Sequence, residues 1–201
     1  MSSLNLKNIT VGPIRTNAYL FDCGDGLAVV DPGDDADKIL SEAQKAGKQI
    51  KHILLTHSHW DHIGAVNELK KLGAKVYVHK EEVQILHSEI NPDILLDGSE
   101  VLKLGGREVK VLHTPGHTAG SVCYIVDYKQ ENPNVPQSVM FSGDTLFYLE
   151  IGRCDLPTGN FNTMKKTLKK LFALDTDYKV LPGHGKSTSI FFERDNNPYA
   201  E

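Results

Sequence analysis

One short stretch of the chain, Thr56-His57-Ser58-His59-Trp60-Asp61-His62, contains four side chains that can bind a metal ion. If the stretch is extended, His57 and His59 point to the same side, because successive residues of a strand face opposite sides. Asp61 and His62 then fall at the start of a helix, and a turn from strand to helix can aim such residues at one point. Imidazole and carboxylate groups together suit zinc, iron or manganese. The pattern therefore predicts a metal site.

Three more potential ligands each follow a predicted strand and lie beside a glycine. A strand end held by a sheet gives a ligand a fixed position, and glycine lets the backbone come close. Any one of these segments alone would say little, but all of them in one chain strengthen the metal-site prediction. The ligands are His117 in Thr114-Pro115-Gly116-His117-Thr118, Asp144 in Phe141-Ser142-Gly143-Asp144-Thr145, and His184 in Pro182-Gly183-His184-Gly185.

The elements that must position these ligands alternate between strands and helices. In the first half, apolar runs predict strands at 17–21, 27–30, 53–55 and 75–78, and helices from Asp34 or Asp35 to Gly47, at 62–72 and at 80–87. In the second half we expect strands at 108–112, 121–126, 138–141 and 178–181, with an amphipathic helix at 161–171 and an exposed loop at 129–137.

Both halves run from strands into helices, and no linker separates them. This organisation suits two sheets packed face to face with helices outside, within one domain that covers residues 1–201. The remaining histidines are uncommitted, and His113 reads as a strand residue. These uncommitted histidines are His52, His79, His87 and His113.

Composition narrows the functional class. The 201 residues carry a net charge of −4, with 40% hydrophobic and 24% charged residues, which is typical of a globular protein and gives no support for a nucleic-acid partner. No apolar run is long enough to span a membrane, and residues 1–10 have no signal-peptide pattern. The odd number of cysteines, three, favours a reducing cytoplasm. The expected partner is a small molecule.

The order His-x-His-x-Asp-His, then His, then Asp, then His resembles the metallo-β-lactamase superfamily, and the match runs through most of the chain. The resemblance implies an α+β fold, a four-layer αββα sandwich with two divalent metal ions at one edge of the paired sheets. Zinc is the first choice, with iron or manganese as alternatives. By position, the resemblance assigns the first metal to His57, His59 and His117, the second metal to Asp61, His62 and His184, and the bridging position to Asp144.

The chemistry implied by this resemblance is hydrolysis. Two close cations can share a water and lower its pKa, and the resulting hydroxide can attack a carbonyl carbon or a phosphorus. Asp61 and Asp144 are the expected catalytic ligands, with Asp61 also orienting the water. Asp31, before Pro32 and Gly33, matches an aspartate that hydrogen-bonds a ligand histidine from outside the metal shell.

Trp60 and the segment from Phe141 to Phe147 are similar to glyoxalase II, which hydrolyses S-lactoylglutathione. Two features differ from that enzyme. Its C-terminal helical domain has no counterpart here, since the sequence ends about 17 residues after His184. Its Lys and Tyr in the loop after the bridging aspartate correspond to Arg153 and Asp155. The segment 152–157 looks more like the short glyoxalase II-like hydrolases of bacteria. Arg153 can bind a substrate carboxylate or pair with a neighbouring acid such as Asp155.

Other functions remain open at this point. A persulfide dioxygenase of the same superfamily, with one iron held by two histidines and an aspartate, also has Gly-Arg-x-Asp in this loop. Its last ligand segment is typically Ala-His-Asp-Tyr, whereas here the segment 183–186 is Gly-His-Gly-Lys, which favours the hydrolase. A lactonase is a further alternative. A metal-binding module without turnover is the non-enzyme alternative. The expected activity is therefore that of a thioesterase for a hydroxyacyl thioester.

Overall fold

The structure, a computed structural model, describes residues 5–128 and 138–200; the loop predicted at 129–137 lies outside them. Fourteen strands form two six-stranded sheets and one small hairpin within these residues. The first sheet contains β1 (Lys7–Val11), β2 (Thr16–Asp22), β3 (Leu27–Val30), β4 (Ile50–Leu54), β5 (Lys75–His79) and β6 (Ile94–Leu96). The second contains β7 (Val101–Leu104), β8 (Arg107–His113), β9 (Val122–Asp127), β10 (Ser138–Gly143), β13 (Lys179–Pro182) and β14 (Thr188–Ser189). The hairpin pairs β11 (Leu146–Phe147) with β12 (Glu150–Ile151).

The first sheet changes strand direction along its order. Strands β1, β2 and β3 are antiparallel neighbours, whereas β3, β4, β5 and β6 run parallel. Parallel strands require crossover connections, and α-helices lie in two of the three connections between these strands. In the second sheet the order is β14-β13-β10-β9-β8-β7, and only β10 and β13 are parallel.

Three apolar layers separate the sheets and helices. The central layer contains side chains from both sheets, including Phe21, Val111 and Phe141, so the sheets pack face to face. A second layer joins the first sheet to the helices around Ile39 and Val66, and a third joins the other sheet to the helices around Leu168 and Ile190. Burial of this apolar area is the main force that holds the layers together. The predicted αββα sandwich is confirmed.

Five α-helices lie on the outer faces within the described residues. They are α1 (Ala36–Lys45), α2 (Trp60–Ile63), α3 (Val66–Lys71), α4 (Phe161–Phe172) and α5 (Ile190–Asn196). None of the helices in residues 5–128 and 138–200 has the length and apolar composition that a membrane span requires. Asp35 precedes α1 as predicted, but its carboxylate accepts a hydrogen bond from the Gly12 N–H and makes none to the helix.

Two helix predictions are wrong in extent. The helix expected at 62–72 is divided into α2 and α3, because the N–H groups of Gly64 and Ala65 donate to the carbonyls of Gly33 and Pro32 instead of continuing the helix. The segment expected as a helix at 80–87 forms only a short 3₁₀-helix at Lys80–Glu82. A segment this short gains little from helix formation alone.

Candidate metal centre

The predicted ligands converge where strands of both sheets end. His57, His59, Asp61 and His62 follow β4, and the last two lie in α2. His117 follows β8, Asp144 follows β10, and His184 follows β13. The two sheets pack against each other, and the structure brings all seven side chains close together.

The ligand atoms form two groups. His57, His59 and His117 each offer one atom, and these atoms lie within 4.8 Å of one another. The same limit applies to Asp61, His62 and His184. We refer to the first set as the three-histidine group and to the second as the aspartate–histidine group.

Asp144 faces both groups. Its Oδ1 lies 3.4 Å from His62 Nε2, and its Oδ2 lies 3.6 Å from His117 Nε2 and 3.7 Å from His184 Nε2. One carboxylate oxygen thus faces the aspartate–histidine group, while the other faces both groups. This is the position from which a single side chain can bridge two cations.

Hydrogen bonds outside the groups orient the imidazoles. His62 Nδ1 lies 3.0 Å from Asp31 Oδ2, and His117 Nδ1 lies 2.7 Å from the carbonyl oxygen of Arg153. Because these oxygens accept only, both rings donate from Nδ1, which leaves Nε2 as the atom that can bind a metal. Thr56 donates its hydroxyl proton to Asp31 and can accept from His57 Nδ1, which leaves His57 Nε2 in the same state.

Several buried polar atoms at the centre have no hydrogen-bond partner among the described residues. They include His57 Nε2, His62 Nε2 and Asp144 Oδ1. A buried polar atom without a partner is costly, so these atoms indicate that a group binds here. Metal ions at the two groups of ligands would provide a partner for all three atoms, so the residues present fit a two-metal centre.

Burial and mutual repulsion lower the pKa of two imidazoles of the three-histidine group. Burial, with the other histidines nearby, lowers the pKa of His57 well below its ordinary value and that of His59 to about 4. These rings are therefore neutral near pH 7. Only a neutral imidazole can bind a metal.

The aspartate–histidine group behaves differently because carboxylates face its rings. Burial lowers the pKa of His62, but Asp144 and Asp31 outweigh burial and hold it well above the ordinary value. A hydrogen bond with Asp61 raises the pKa of His184. Burial raises the pKa of Asp61, yet His184, His62 and the Thr16 hydroxyl outweigh it and hold that pKa far below the ordinary value. Carboxylates that stay ionised attract a cation.

A cleft of about 630 Å³ opens over the ligands. Its apolar wall includes Ile14, Trp60, Phe147 and Leu156, and the Trp60 side chain is 64% exposed. Arg153 also lines the cleft. Such an opening can admit a substrate with an apolar portion.

The Arg153 guanidinium already has an anionic partner. Its Nε and Nη2 each donate to an oxygen of Asp155 at 2.7 Å. Both side chains are exposed, so this pair competes with water and is weak. In this structure Arg153 therefore pairs with a neighbouring acid, and a substrate carboxylate would compete with Asp155 for the guanidinium.

Some residues at the centre were not found from the sequence. The Thr16 hydroxyl donates to Asp61 Oδ2 across 45 positions, and the Arg153 carbonyl holds His117. Backbone carbonyls carry no residue-type signal, and a threonine at the start of β2 looks like any strand residue. Asp31, by contrast, accepts from His62 as expected.

Comparisons with known proteins identify the family. The model of the metallo-beta-lactamase superfamily matches residues 11–184. A probable metallo-hydrolase, YqgX of Bacillus subtilis (strain 168), is 35% identical over 96% of this chain and 96% of its own length. The hydroxyacylglutathione hydrolase GloC of Haemophilus influenzae is 32% identical over 98% of each.

Solved structures show the same fold. The BLEG-1 B3 metallo-beta-lactamase superposes with a TM-score of 0.85 at 34% identity, covering 97% of this chain and 99% of that one. TTHA1623 in a di-iron-bound form gives 0.82 at 34% identity, with 96% and 99% covered. ETHE1 from Myxococcus xanthus gives 0.83 at 26% identity, with 97% and 84% covered. The chain therefore belongs to the metallo-β-lactamase superfamily and is a metallo-hydrolase by fold and relatives.

Proposed function

We propose that this protein hydrolyses S-lactoylglutathione or a related hydroxyacyl thioester with the help of two divalent metal ions. The observation that carries the proposal is the pair of ligand groups that face each other across Asp144. Support for the substrate class comes from the similarity to a hydroxyacylglutathione hydrolase over nearly the full chain.

The first metal would be held by the three-histidine group and the second by the aspartate–histidine group. Asp144 would contact both. Zinc suits these ligands, and iron or manganese also does, as the di-iron form of a related structure illustrates. When bound, two such cations lower the pKa of a water and stabilise negative charge on a carbonyl oxygen.

The chain's own residues prepare the site for this chemistry. Thr16 and His184 hold Asp61, so that its carboxylate keeps one position and can orient a water near the ligands. Asp31 and the Arg153 carbonyl fix the rings of His62 and His117. Asp61 and Asp144 are thus the residues to which we assign the catalytic roles.

Substrate would enter through the cleft above the ligands. Trp60 and Leu156 offer apolar contact to the acyl or thiol portion, and Arg153 offers a cation for a glutathione carboxylate if Asp155 gives way. Water screens an exposed ion pair, so this pair is weak and a substrate carboxylate can compete with Asp155.

A persulfide dioxygenase of the same superfamily is the second candidate, because residues 152–155 read Gly-Arg-Cys-Asp, which resembles the loop of that class. One iron would need only two histidines and an aspartate. The clustering of His184 with Asp61 and His62 provides a second set of ligands that this reaction does not need, and it favours the hydrolase.

The decisive experiment measures thiol release from S-lactoylglutathione by the zinc-loaded protein. We expect kcat/KM at or above about 10⁴ M⁻¹s⁻¹, the lower end for enzymes on their own substrates. The Asp61→Ala variant should lose this activity, whereas Asp25→Ala, which changes an exposed aspartate paired with Lys51, should keep it. Metal content is measured on all three proteins.

The same preparations separate the alternatives. Absence of thioester turnover, with hydrolysis of a lactone or of a β-lactam instead, would move the substrate to that class. Oxygen uptake with glutathione persulfide at one iron per chain would establish the dioxygenase. No turnover on any of these substrates would leave a metal-binding module.

A further inference from the structure

A glutamate outside every ligand motif lies between the two loops that carry the three-histidine group. Glu82, in the 3₁₀-helix after β5, has a side chain that is 0% exposed. Burying a carboxylate is strongly unfavourable unless hydrogen bonds replace its water. Its place inside the protein therefore requires donors on several sides.

The donors to Glu82 come from both loops. Glu82 Oε2 accepts from the N–H of Ser58 at 2.7 Å. Glu82 Oε1 accepts from the Thr118 hydroxyl at 2.6 Å and from the N–H of Gly120 at 2.9 Å. A group that faces only donors has to be an acceptor at both oxygens, which a carboxylate is and an amide is not.

Two of the donors to Glu82 lie next to the predicted metal ligands in the sequence. Ser58 lies between His57 and His59, and Thr118 directly follows His117. The first loop extends from the first sheet and the second from the other sheet. Glu82 thus links the two chain segments that supply the whole three-histidine group.

Gly120 shows how closely the second loop approaches. A Cβ added there would lie 2.8 Å from both Cγ and Oε1 of Glu82, so a larger residue would push the carboxylate away. The approach requires glycine and places its N–H against the carboxylate.

We propose that Glu82 is a positioning residue that sets the metal affinity of the three-histidine group without contacting metal or substrate. The proposal rests on the proposed function only in that a metal binds this group. Asp31 performs a comparable task elsewhere, since it accepts from Thr56 and His62. The two buried carboxylates therefore act on the centre through different hydrogen bonds.

The test measures zinc affinity by chelator competition in two backgrounds, each with one group removed. Substituting both His62 and His184 by alanine leaves the three-histidine group, and substituting both His59 and His117 leaves the other. Glu82→Gln should weaken zinc binding about 10- to 100-fold in the first background, as for other partners outside the metal shell. In the second background the change should stay within about threefold, a limit we set well below that loss.

Two further variants complete the design. Gly120→Ala retains the Glu82 carboxylate but displaces it, and should reproduce the loss in the first background. Glu193→Gln is the matched control, since Glu193 is also fully buried and accepts from Leu149 N–H, Thr188 and Asn197. It should leave zinc affinity in the first background unchanged.

Three results would overturn the proposal: equal losses in both backgrounds, no loss with Glu82→Gln, or the same loss with Glu193→Gln. The first and third would show general destabilisation. These titrations are independent of the thiol-release assay. If zinc affinity shows the selective loss but the parent protein has no thioesterase activity, the proposed function is refuted and the role of Glu82 is retained.

Discussion

At the residue scale, this centre depends on atoms that never reach the metals. A histidine presents the correct nitrogen only if its other nitrogen has a fixed partner. Asp31 provides that partner for His62 and also accepts from the N–H and hydroxyl of Thr56. It does so from a backbone with φ +49°, a left-handed conformation that aspartate tolerates better than most residues.

Replacing Asp31 by asparagine tests this dependence. The amide nitrogen of Asn donates and cannot accept, so Asn has one acceptor for donors that now meet both oxygens of Asp31, and His62 loses its orientation. We expect zinc affinity of the aspartate–histidine group to fall about 10- to 100-fold in chelator competition. Asp25→Asn, at an exposed site paired with Lys51, is the control and should bind zinc normally. Unchanged affinity in Asp31→Asn would show that the ring needs no acceptor.

Trp60 lies at the other side of the centre, where the cleft meets solvent. Trp60 is 64% exposed although it begins α2, and it lines the cleft. An apolar contact with substrate contributes about 1–3 kcal/mol. We expect Trp60→Ala to lower kcat/KM for the thioester about tenfold, mainly through KM.

Leu72→Ala is the matched control for this variant. Leu72 is 63% exposed but lines a separate groove with Leu40 and Ile50, so kinetics should not change. If Trp60→Ala lowered kcat alone, the tryptophan would act on the geometry of its neighbours His59 and Asp61 and not on substrate.

At the element scale, the centre is built at the ends of strands, and the sequence predicted several of these strands. Alternation and turn residues predicted β2, β3, β4 and β5 and the helix α4 within a few residues. The division of the helix after His62 could not be predicted, because its cause is a contact with a distant loop. That contact consists of the N–H groups of Gly64 and Ala65 on the carbonyls of Gly33 and Pro32.

Gly33 is the place where this contact can be tested. A Cβ at Gly33 would lie 1.7 Å from the carbonyl oxygen of Asp61, so the loop after β3 and helix α2 would have to separate. We expect Gly33→Ala to reduce the free energy of unfolding by about 1–3 kcal/mol, the range for overpacking. Bound zinc should fall as well, because Asp61 and His62 move with the helix.

Urea unfolding and metal analysis would measure both effects. Gly106→Ala is the control, since an added Cβ there meets nothing closer than 3.9 Å. Its stability should change by no more than about 0.5 kcal/mol. A Gly33→Ala protein as stable as this control would mean that the backbone relaxes without cost.

At the scale of the whole molecule, sequence reasoning located the converging histidines and aspartates and one residue that supports them, Asp31, but not the other supports. Histidine and aspartate beside glycine are visible in a single sequence, and the sandwich follows from the order of strands. The Thr16 hydroxyl, the Arg153 carbonyl and the Glu82 carboxylate became visible only in three dimensions, because their partners lie 24 to 45 positions away. Long-range hydrogen bonds leave no periodic pattern in a sequence.

The metals should also stabilise the whole fold, because their ligands come from both sheets. His57, His59, Asp61 and His62 follow a strand of the first sheet, whereas His117, Asp144 and His184 follow strands of the second. A ligand that binds only the folded state at 100 times its Kd contributes about 2.7 kcal/mol. For a chain of this size each kcal/mol corresponds to about 2–4 °C.

Chelation should therefore lower Tm by about 5–10 °C in a thermal melt, and added zinc should restore it. The His62→Ala/His184→Ala protein, with one group left, should respond less. His87→Ala removes an exposed histidine far along the chain from the ligands and should respond like the parent protein. Equal Tm with and without chelator would mean that the sandwich is held by its apolar layers alone. In that case the two ligand groups would be preformed, and metal binding would serve the chemistry without stabilising the packing of the two sheets.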